Sequence, residues 1–313
     1  MPVIAVAGGT GGVGKTIVEV LVKQPAYEVI VLTRNVHELD SKPGQAKQIR
    51  VDYSDITSLV EILERHVVHT IISAIGLFDD ATSQSQQNLI RAAEQSKETA
   101  RFIPSEYSFI QTKELLPVDP SIQHWLDAID LLKSSTLEYT RVIPGIFMDY
   151  WGMPTVRTNL APVTFGIDMV SCQAAIPGDG NDVIGMTYSY DMAAFVSKLL
   201  ELEEWPEFSI YVGDDTTYNE LLQLAEQVRG KKFRVTYDSL DSIKEGRVTV
   251  PPMPPNVPYS AEELRSMTAL VSRLTVAGVF KLPMEQRMNS KFPEIKPIKL
   301  REFLLNSWKG FSD

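Results

Sequence analysis

The residue types best suited to chemistry come first in the chain, at GGTGGVGKT, Gly8 to Thr16. Two phosphate-binding patterns overlap there. Gly9 to Thr16 fits G-x-x-x-x-G-K-T, in which backbone amides cradle a nucleotide's phosphates, a lysine reaches them and a hydroxyl helps hold magnesium. Gly8, Gly11 and Gly14 fit G-x-x-G-x-x-G, a variant of the dinucleotide fingerprint. The first pattern also needs an acidic residue directly after an apolar strand, to hold the metal. No run of four apolar residues ends directly in Asp, and Asp168 in TFGID and Glu106 in FIPSE are weak substitutes. Lys15 and Thr16 are therefore read as part of the first helical turn.

The dinucleotide pattern makes further demands, and the residues meet them. The glycines follow a strand, VIAVA, that opens the chain. Gly8 permits a tight turn, Gly11 lets backbone approach a pyrophosphate, and Gly14 lets the helix pack on the sheet. The helix N-terminus then presents unpaired N–H groups to the phosphates. A second strand should end about 20 residues further on, at the ribose, and EVIVLT ends there with Arg34 behind it. An acid at that point accepts from a ribose 2′-hydroxyl and repels a 2′-phosphate, whereas a guanidinium pairs with one. Arg34 therefore points to NADP(H) rather than NAD(H). The plain reading, a solvated surface arginine, loses to its place after a strand at this spacing. Glu38 and Asp40 lie nearby as opposing charges, and Lys42 as an accessory cation.

These residues require an alternating α/β frame. Strand signals at Val3–Ala7, Glu28–Thr33, Lys47–Asp52, Thr70–Ala74 and Arg101–Pro104 alternate with helical spacing at Val13–Val22, Ile56–His66 and Ser83–Lys97. That alternation predicts βαβ units around a parallel sheet. Ser121–Ser135 reads as a helix and Leu137–Gly145 as strand-like. Further on, Val170–Ala175 and Val183–Tyr188 read as strands, and Asp191–Leu202, Asn219–Arg229 and Leu300–Trp308 as helices. Ser260 with Glu263 is a capping box opening another helix. Val250–Tyr259 holds five prolines, which forbid regular structure, so it is a rigid connector or a lid. The expected architecture is a Rossmann-type, doubly wound parallel sheet over 1–150, then a smaller C-terminal substrate lobe over 151–313, with some later segments returning to the sheet.

Composition bounds the rest. At 313 residues, 44% hydrophobic and 22% charged, the chain is an ordinary globular one. A net charge of −10 without a Lys/Arg cluster argues against nucleic-acid or anionic-membrane binding. The one cysteine, Cys172, makes neither an internal disulfide nor a zinc cage and reads as a buried filler. No secretory signal, membrane span or metal-ligand spacing is present, so a reducing, cytoplasmic setting without a metal is expected.

Several segments together resemble the isoflavone reductase-like and NmrA-like families of atypical short-chain dehydrogenases, fungal NmrA-like proteins most of all. They are GGTGGVGK, Arg34, SAIG with Gln86 following, RFIPSEYS, EYTRVIPGIFMDY, IPGDG, TYSYDMAAFV and RGKKFRVTYDS. The resemblance spans most of the chain. It implies a Rossmann domain, NADP(H) and a small-molecule substrate. The cofactor would be held by Gly8, Thr10, Gly11, Gly12, Val13, Gly14, Arg34, Ser73, Ala74, Ile75, Gly76, Pro104 and Ser105. Glu106, Phe147, Tyr150 and Trp151 would stand on the substrate side, with Met148 and Met153 packing adaptably around a bulky apolar ligand. The resemblance also exposes a departure. Reductases of this kind carry a lysine for acid/base work on the helix after PSEF. Here no lysine lies between Lys113 and Lys133, and the expected position falls at or near Trp125. No Y-x-x-x-K occurs either.

A hydride transfer still needs a proton donor for the product. His124, whose imidazole type suits proton exchange near neutrality, and Tyr107 are the candidates, beside Trp125 in the lysine's place. Glu106 is either a base or a structural carboxylate, Lys133 lies more than two helical turns beyond Trp125, and Asp191 is expected to cap the helix from Met192. Three functions remain open. They are an NADPH-dependent reductase of a medium-sized, mostly apolar, aromatic or polycyclic metabolite of secondary metabolism; a redox-neutral isomerase, cyclase or dehydratase on the same fold; and a non-catalytic NADP(H)-sensing regulator, which alone calls for a protein partner.

Overall fold

A computed structural model describes residues 1–36, 45–255 and 257–311. Glu38, Asp40 and Lys42 therefore lie outside the described residues.

The first half runs β1 (Val3–Ala7), α1 (Gly12–Leu21), β2 (Glu28–Thr33), β3 (Lys47–Arg50), α2 (Ile56–Arg65), β4 (Val68–Ser73), α3 (Asp80–Gln95), β5 (Arg101–Ile103), α4 (Gln123–Lys133) and β6 (Glu138–Tyr139). Its strands form a parallel sheet in the order β3-β2-β1-β4-β5-β6, the doubly wound Rossmann order. β1 is buried along its whole length because both faces are covered. Ile4 and Val6 pack with Ile17 and Leu21 of α1, while Val3, Ala5 and Ala7 pack with Ile30, Leu32 and Leu89 on the other face. Each large aliphatic side chain buried this way contributes roughly 1.5–3 kcal/mol.

Register brings the functional candidates to one edge. Ala7 pairs with Leu32 on one side and Ser73 on the other, and Ile72 pairs with Ile103. The residues that follow these strands, Gly8, Arg34, Ala74 and Pro104, therefore leave the sheet at its carboxyl end, where open parallel sheets bind ligands.

The second half runs β7 (Arg141–Ile143), β8 (Ile146–Phe147), α5 (Asp149–Gly152), β9 (Ile167–Asp168), β10 (Gln173–Pro177), β11 (Ile184–Thr187), α6 (Ser189–Leu199), β12 (Phe208–Ile210), β13 (Asp214–Thr216), α7 (Tyr218–Arg229), β14 (Arg234–Asp238), α8 (Leu240–Lys244), α9 (Ala261–Val276) and α10 (Leu300–Ser307). The strand expected over Leu137–Gly145 is split. β6 pairs with β5, whereas β7 pairs in parallel with β12, and Thr140 at the break joins its hydroxyl to that of Ser209 at 2.7 Å. The strand expected at Val170 starts later, at Gln173. Asp168 accepts the N–H groups of Val170 and Ser171 in a turn, and Cys172 leaves it with φ +55°. β9, β10 and β14 form a separate small sheet. Beneath it lies a second core containing Ile167, Ile176, Tyr218, Phe303 and Trp308.

Helix starts follow local capping. Asp79 and Thr82 make a reciprocal capping box, which starts α3 three residues before the apolar spacing at Ser83 does. The Ser260 capping box opens α9. The described residues of Val250–Tyr259 carry no helix or strand.

Candidate active site

The glycine loop shows three distinct uses of glycine. Gly8 has φ +76°, and a Cβ there would lie 2.4 Å from the Ala74 carbonyl oxygen. At Gly14 a Cβ would lie 2.3 Å from Gly8 O, so only glycine lets α1 close against the loop. At Gly11 and Gly12 a Cβ would meet nothing within 4 Å. The first pair is needed for packing, and the second leaves open space before the helix. Gly11, the N-cap of α1, supplies no side-chain acceptor, so the first-turn N–H groups stay available to an anion. Thr16 is fully buried and its hydroxyl donates to Gly12 O at 3.2 Å, a helical back-bond that withdraws it from magnesium. That geometry removes the nucleotide P-loop reading.

Helix α1 is braced from behind. Asn159 donates to Thr16 Oγ1, Glu19 and the Tyr190 hydroxyl, each at 3.2 Å, and Arg157 pairs with Glu19. Sequence spacing carried no sign of this bracket, because Arg157, Asn159 and Tyr190 lie more than 100 residues beyond Thr16 and Glu19.

In front of the loop lies a cleft of roughly 320 Å³. Gly8, Thr10, Arg34, Ala74, Ile75 and Gly76 line it, with Thr33 and Asn35 beside Arg34; Tyr53, Phe78, Thr82 and Ser85 join them without a sign in the sequence spacing. Arg34 is exposed and has no hydrogen-bond or ion-pair partner among the described residues. Tyr53 forms a wall, its hydroxyl donating to Leu32 O at 3.0 Å. Val13 is half-buried and packs inward, and Ser73 is fully buried with an unpartnered hydroxyl beneath the cleft. An open helix start, a cradle that admits no side chains at Gly8 and Gly14, and an unpaired guanidinium together fit a phosphorylated dinucleotide.

The loop after β5 is built differently. Pro104 is buried. The Ser105 N–H donates to Gln86 Oε1 at 2.9 Å, and Ser105 O accepts the Trp125 indole N–H at 2.9 Å. Tyr107 sits at φ +38° with its hydroxyl donating to Ser73 O at 2.9 Å, and burial pushes its phenol pKa up. The Glu106 carboxylate is 2.7 Å from Arg141 Nε, and the two side chains are 1% and 5% exposed. Burial raises the Glu106 pKa, opposed by the Arg141 charge. Arg141 also donates to Gln111 O. Glu106 is thus buried in an ion pair with Arg141 that braces the loop. Tyr107 and Trp125 both use their one polar hydrogen to tie loops together.

His124 stands apart. It lies in the first turn of α4, its side chain 16% exposed, with Nε2 3.8 Å from Asp80 Oδ1 on α3. That distance is an ionic approach and not a hydrogen bond. Lys133, at the far end of α4, is 3.4 Å from Glu207 and so points to another part of the surface.

FMDYW divides between the two cores. Phe147 packs in the core beside β1, Met148 and Trp151 are fully buried in the second core, and Tyr150 touches both. Trp151 therefore serves as core and not as a pocket wall, and its carbonyl accepts the Trp308 indole N–H at 2.7 Å. The half-buried Tyr150 makes an edge-on contact with Phe165 at 4.7 Å. Asp149 accepts the Ser189 N–H and hydroxyl and the Thr158 hydroxyl at 2.6–2.9 Å, so Asp149 anchors the start of α6. Asp191, expected as that cap, lies inside the helix and accepts the Ile298 N–H at 2.8 Å. Burial raises its pKa to about 6.

The chain matches the NmrA-like family over residues 2–304. It is 32% identical to "Oxidoreductase swnN" of Metarhizium robertsii, over 98% of each chain. It is 36% identical to "Oxidoreductase BOA1" of Botryotinia fuckeliana, over 74% of this chain and 77% of that one. Among solved structures it superposes on AtPrR2 with NADP+ and (+)pinoresinol, with a TM-score of 0.75, 19% identity and 98% of both chains covered. The ternary complex of leucoanthocyanidin reductase from Vitis vinifera gives a TM-score of 0.73 at 16% identity, covering 98% and 99% of the two chains. On the strength of a match running nearly end to end, this chain belongs to the NmrA-like family.

Proposed function

We propose that the protein is an NADP(H)-dependent reductase of a medium-sized, mostly apolar metabolite, aromatic or polycyclic, in secondary metabolism. The observation that carries this reading is the exposed Arg34 guanidinium, without a partner among the described residues, in the same cleft as the glycine loop. The relatives' names, oxidoreductases both, and the NADP+ in the AtPrR2 structure support it. In this reading the start of α1 and the Gly8–Gly14 loop hold the pyrophosphate, and Arg34 holds the ribose 2′-phosphate. Ser73–Gly76, Pro104 and Ser105 support the remainder of the dinucleotide, and Phe147 and Tyr150 face the substrate. The cofactor supplies a hydride when bound. His124 is the proton donor, because Tyr107 and Trp125 have committed their hydrogens elsewhere. The setting is cytoplasmic and the partner a small molecule, without nucleic acid or membrane. No described helix is long and apolar enough to cross a membrane.

One observation favours a second reading. The β5 loop is stitched shut by Glu106–Arg141, Tyr107–Ser73 and Trp125–Ser105. A site so short of free acids suits redox-neutral proton chemistry, or an NADP(H) sensor that passes occupancy to a protein partner. Purified protein incubated with NADPH and a panel of aromatic and polycyclic ketones, enones and lactols distinguishes these. Loss of the NADPH absorbance with matching product supports the reductase. Product without that loss moves the assignment to proton chemistry. NADPH binding without turnover, together with partner capture that varies with the cofactor's redox state, moves it to the sensor.

A further inference from the structure

Phe78 is 83% exposed, the most exposed phenylalanine or other large hydrophobic side chain among the described residues. A single exposed apolar residue usually calls for no explanation. This one differs in three respects. It lines the cleft that also contains Gly8, Thr10 and Arg34. Its ring edge is seated on Gly76, where a Cβ would come within 2.2 Å of the ring, so a side chain at 76 would dislodge it. Its backbone is pinned, because the Phe78 N–H donates to Thr82 Oγ1 at 3.1 Å and the next residue, Asp79, caps α3 through the same threonine. The ring is thus held out over the cleft by a rigid anchor while remaining open to solvent.

Resting on the NADP(H) reading above, we propose that Phe78 is the stacking face for the adenine ring. The ribose of 2′-phosphoadenosine is held at two points: its 5′ side by the start of α1 and its 2′ side by Arg34. The base attached to that ribose must then enter the part of the cleft bordered by Asn35, Phe78, Thr82 and Ser85. Phe78 is the aromatic face exposed there, since Tyr53 is buried and uses its hydroxyl on Leu32. Covering the ring with a base removes apolar surface from water and adds a π-stack, and both effects favour the complex.

The test is calorimetric binding of adenosine 2′,5′-bisphosphate, which carries the adenine and both phosphate positions but no nicotinamide. Phe78→Ala is expected to weaken it about 5- to 150-fold, the effect of losing one base–aromatic stack. Phe78→Tyr should stay within about twofold of the parent, and the thermal midpoint should be unchanged in both. Unaltered affinity in Phe78→Ala overturns the proposal, and so does failure of Phe78→Tyr to retain affinity. If the parent itself fails to bind the bisphosphate, the NADP(H) reading falls as well. If the parent binds, Arg34→Ala weakens binding and Phe78→Ala does not, only the stacking role is lost.

Discussion

The two loops at the carboxyl edge of the sheet are opposites. Around the glycine loop the polar groups are left open: helix N–H groups without a side-chain cap, glycines facing empty space, and an arginine without a partner among the described residues. Around the β5 loop the Ser105 N–H, the Tyr107 hydroxyl, the Trp125 indole and the Arg141 guanidinium have all found acceptors within the protein, although Gln86 Nε2 and one Glu106 oxygen stay buried without a partner. Both loops leave the same end of one parallel sheet, from strands separated only by β4, so topology alone does not explain the difference. Open polar groups cost little where water can solvate them and become binding energy when an anion arrives. Buried ones must be paired, because an unmet donor or charge costs kilocalories. The cleft side is consequently arranged for a charged ligand, and the β5 side for rigidity.

The contrast can be broken most forcefully at Glu106. Glu106→Ala leaves Arg141 buried without its carboxylate and should cost about 3–5 kcal/mol of stability, read from the denaturant midpoint. Turnover per folded molecule should hold. Turnover lost at unchanged stability would place Glu106 in the chemistry after all. At the open loop, Arg34→Ala should weaken NADPH about 10- to 100-fold and NADH less than twofold, the loss of a charge-assisted contact to the 2′-phosphate. Equal weakening of both cofactors would mean that Arg34 does not read that phosphate. The smallest effect belongs to Asp191, a third kind of carboxyl, paired with a backbone N–H but no cation. Its pKa is raised to about 6 by burial, the Ile298 N–H opposing, so its favourable contribution is full at pH below about 4 and is lost as pH rises through 6. Asp191→Asn keeps an acceptor for Ile298 and removes the buried charge. It should gain about 1–2 kcal/mol above pH 6 and nothing near pH 4, measured as thermal midpoints across that range. A uniform gain at all pH values would show that the charge is not the cause.

Legibility in the sequence followed how local each feature is. The glycine turn ahead of α1, the alternation of strands and helices in the first half and the Ser260 cap depend on residues within a few positions of each other, and these were readable. The position of Arg34 at the cleft was readable because strand length fixes where the chain emerges. Trp151 was misplaced on the substrate side because FMDYW looks the same whether an aromatic faces a pocket or a core. The chain's path beyond β8 decides that, by bringing Trp308 against it. Asp191 was misread as a cap because the actual acceptor for α6, Asp149, lies 40 residues upstream. Phe78 was overlooked because nothing local separates a ring seated on Gly76 from an ordinary loop residue.

From its residues alone this chain specifies a tight glycine turn ahead of a helix, a parallel α/β frame and the absence of the expected lysine, since each is set by backbone sterics or by composition. The tertiary structure decided which polar groups are left unpaired. Partners such as Arg141 for Glu106, Ser73 for Tyr107 and Asn159 for Thr16 meet only when distant strands and loops are packed together, and only then does the cost of burial separate a binding group from a brace.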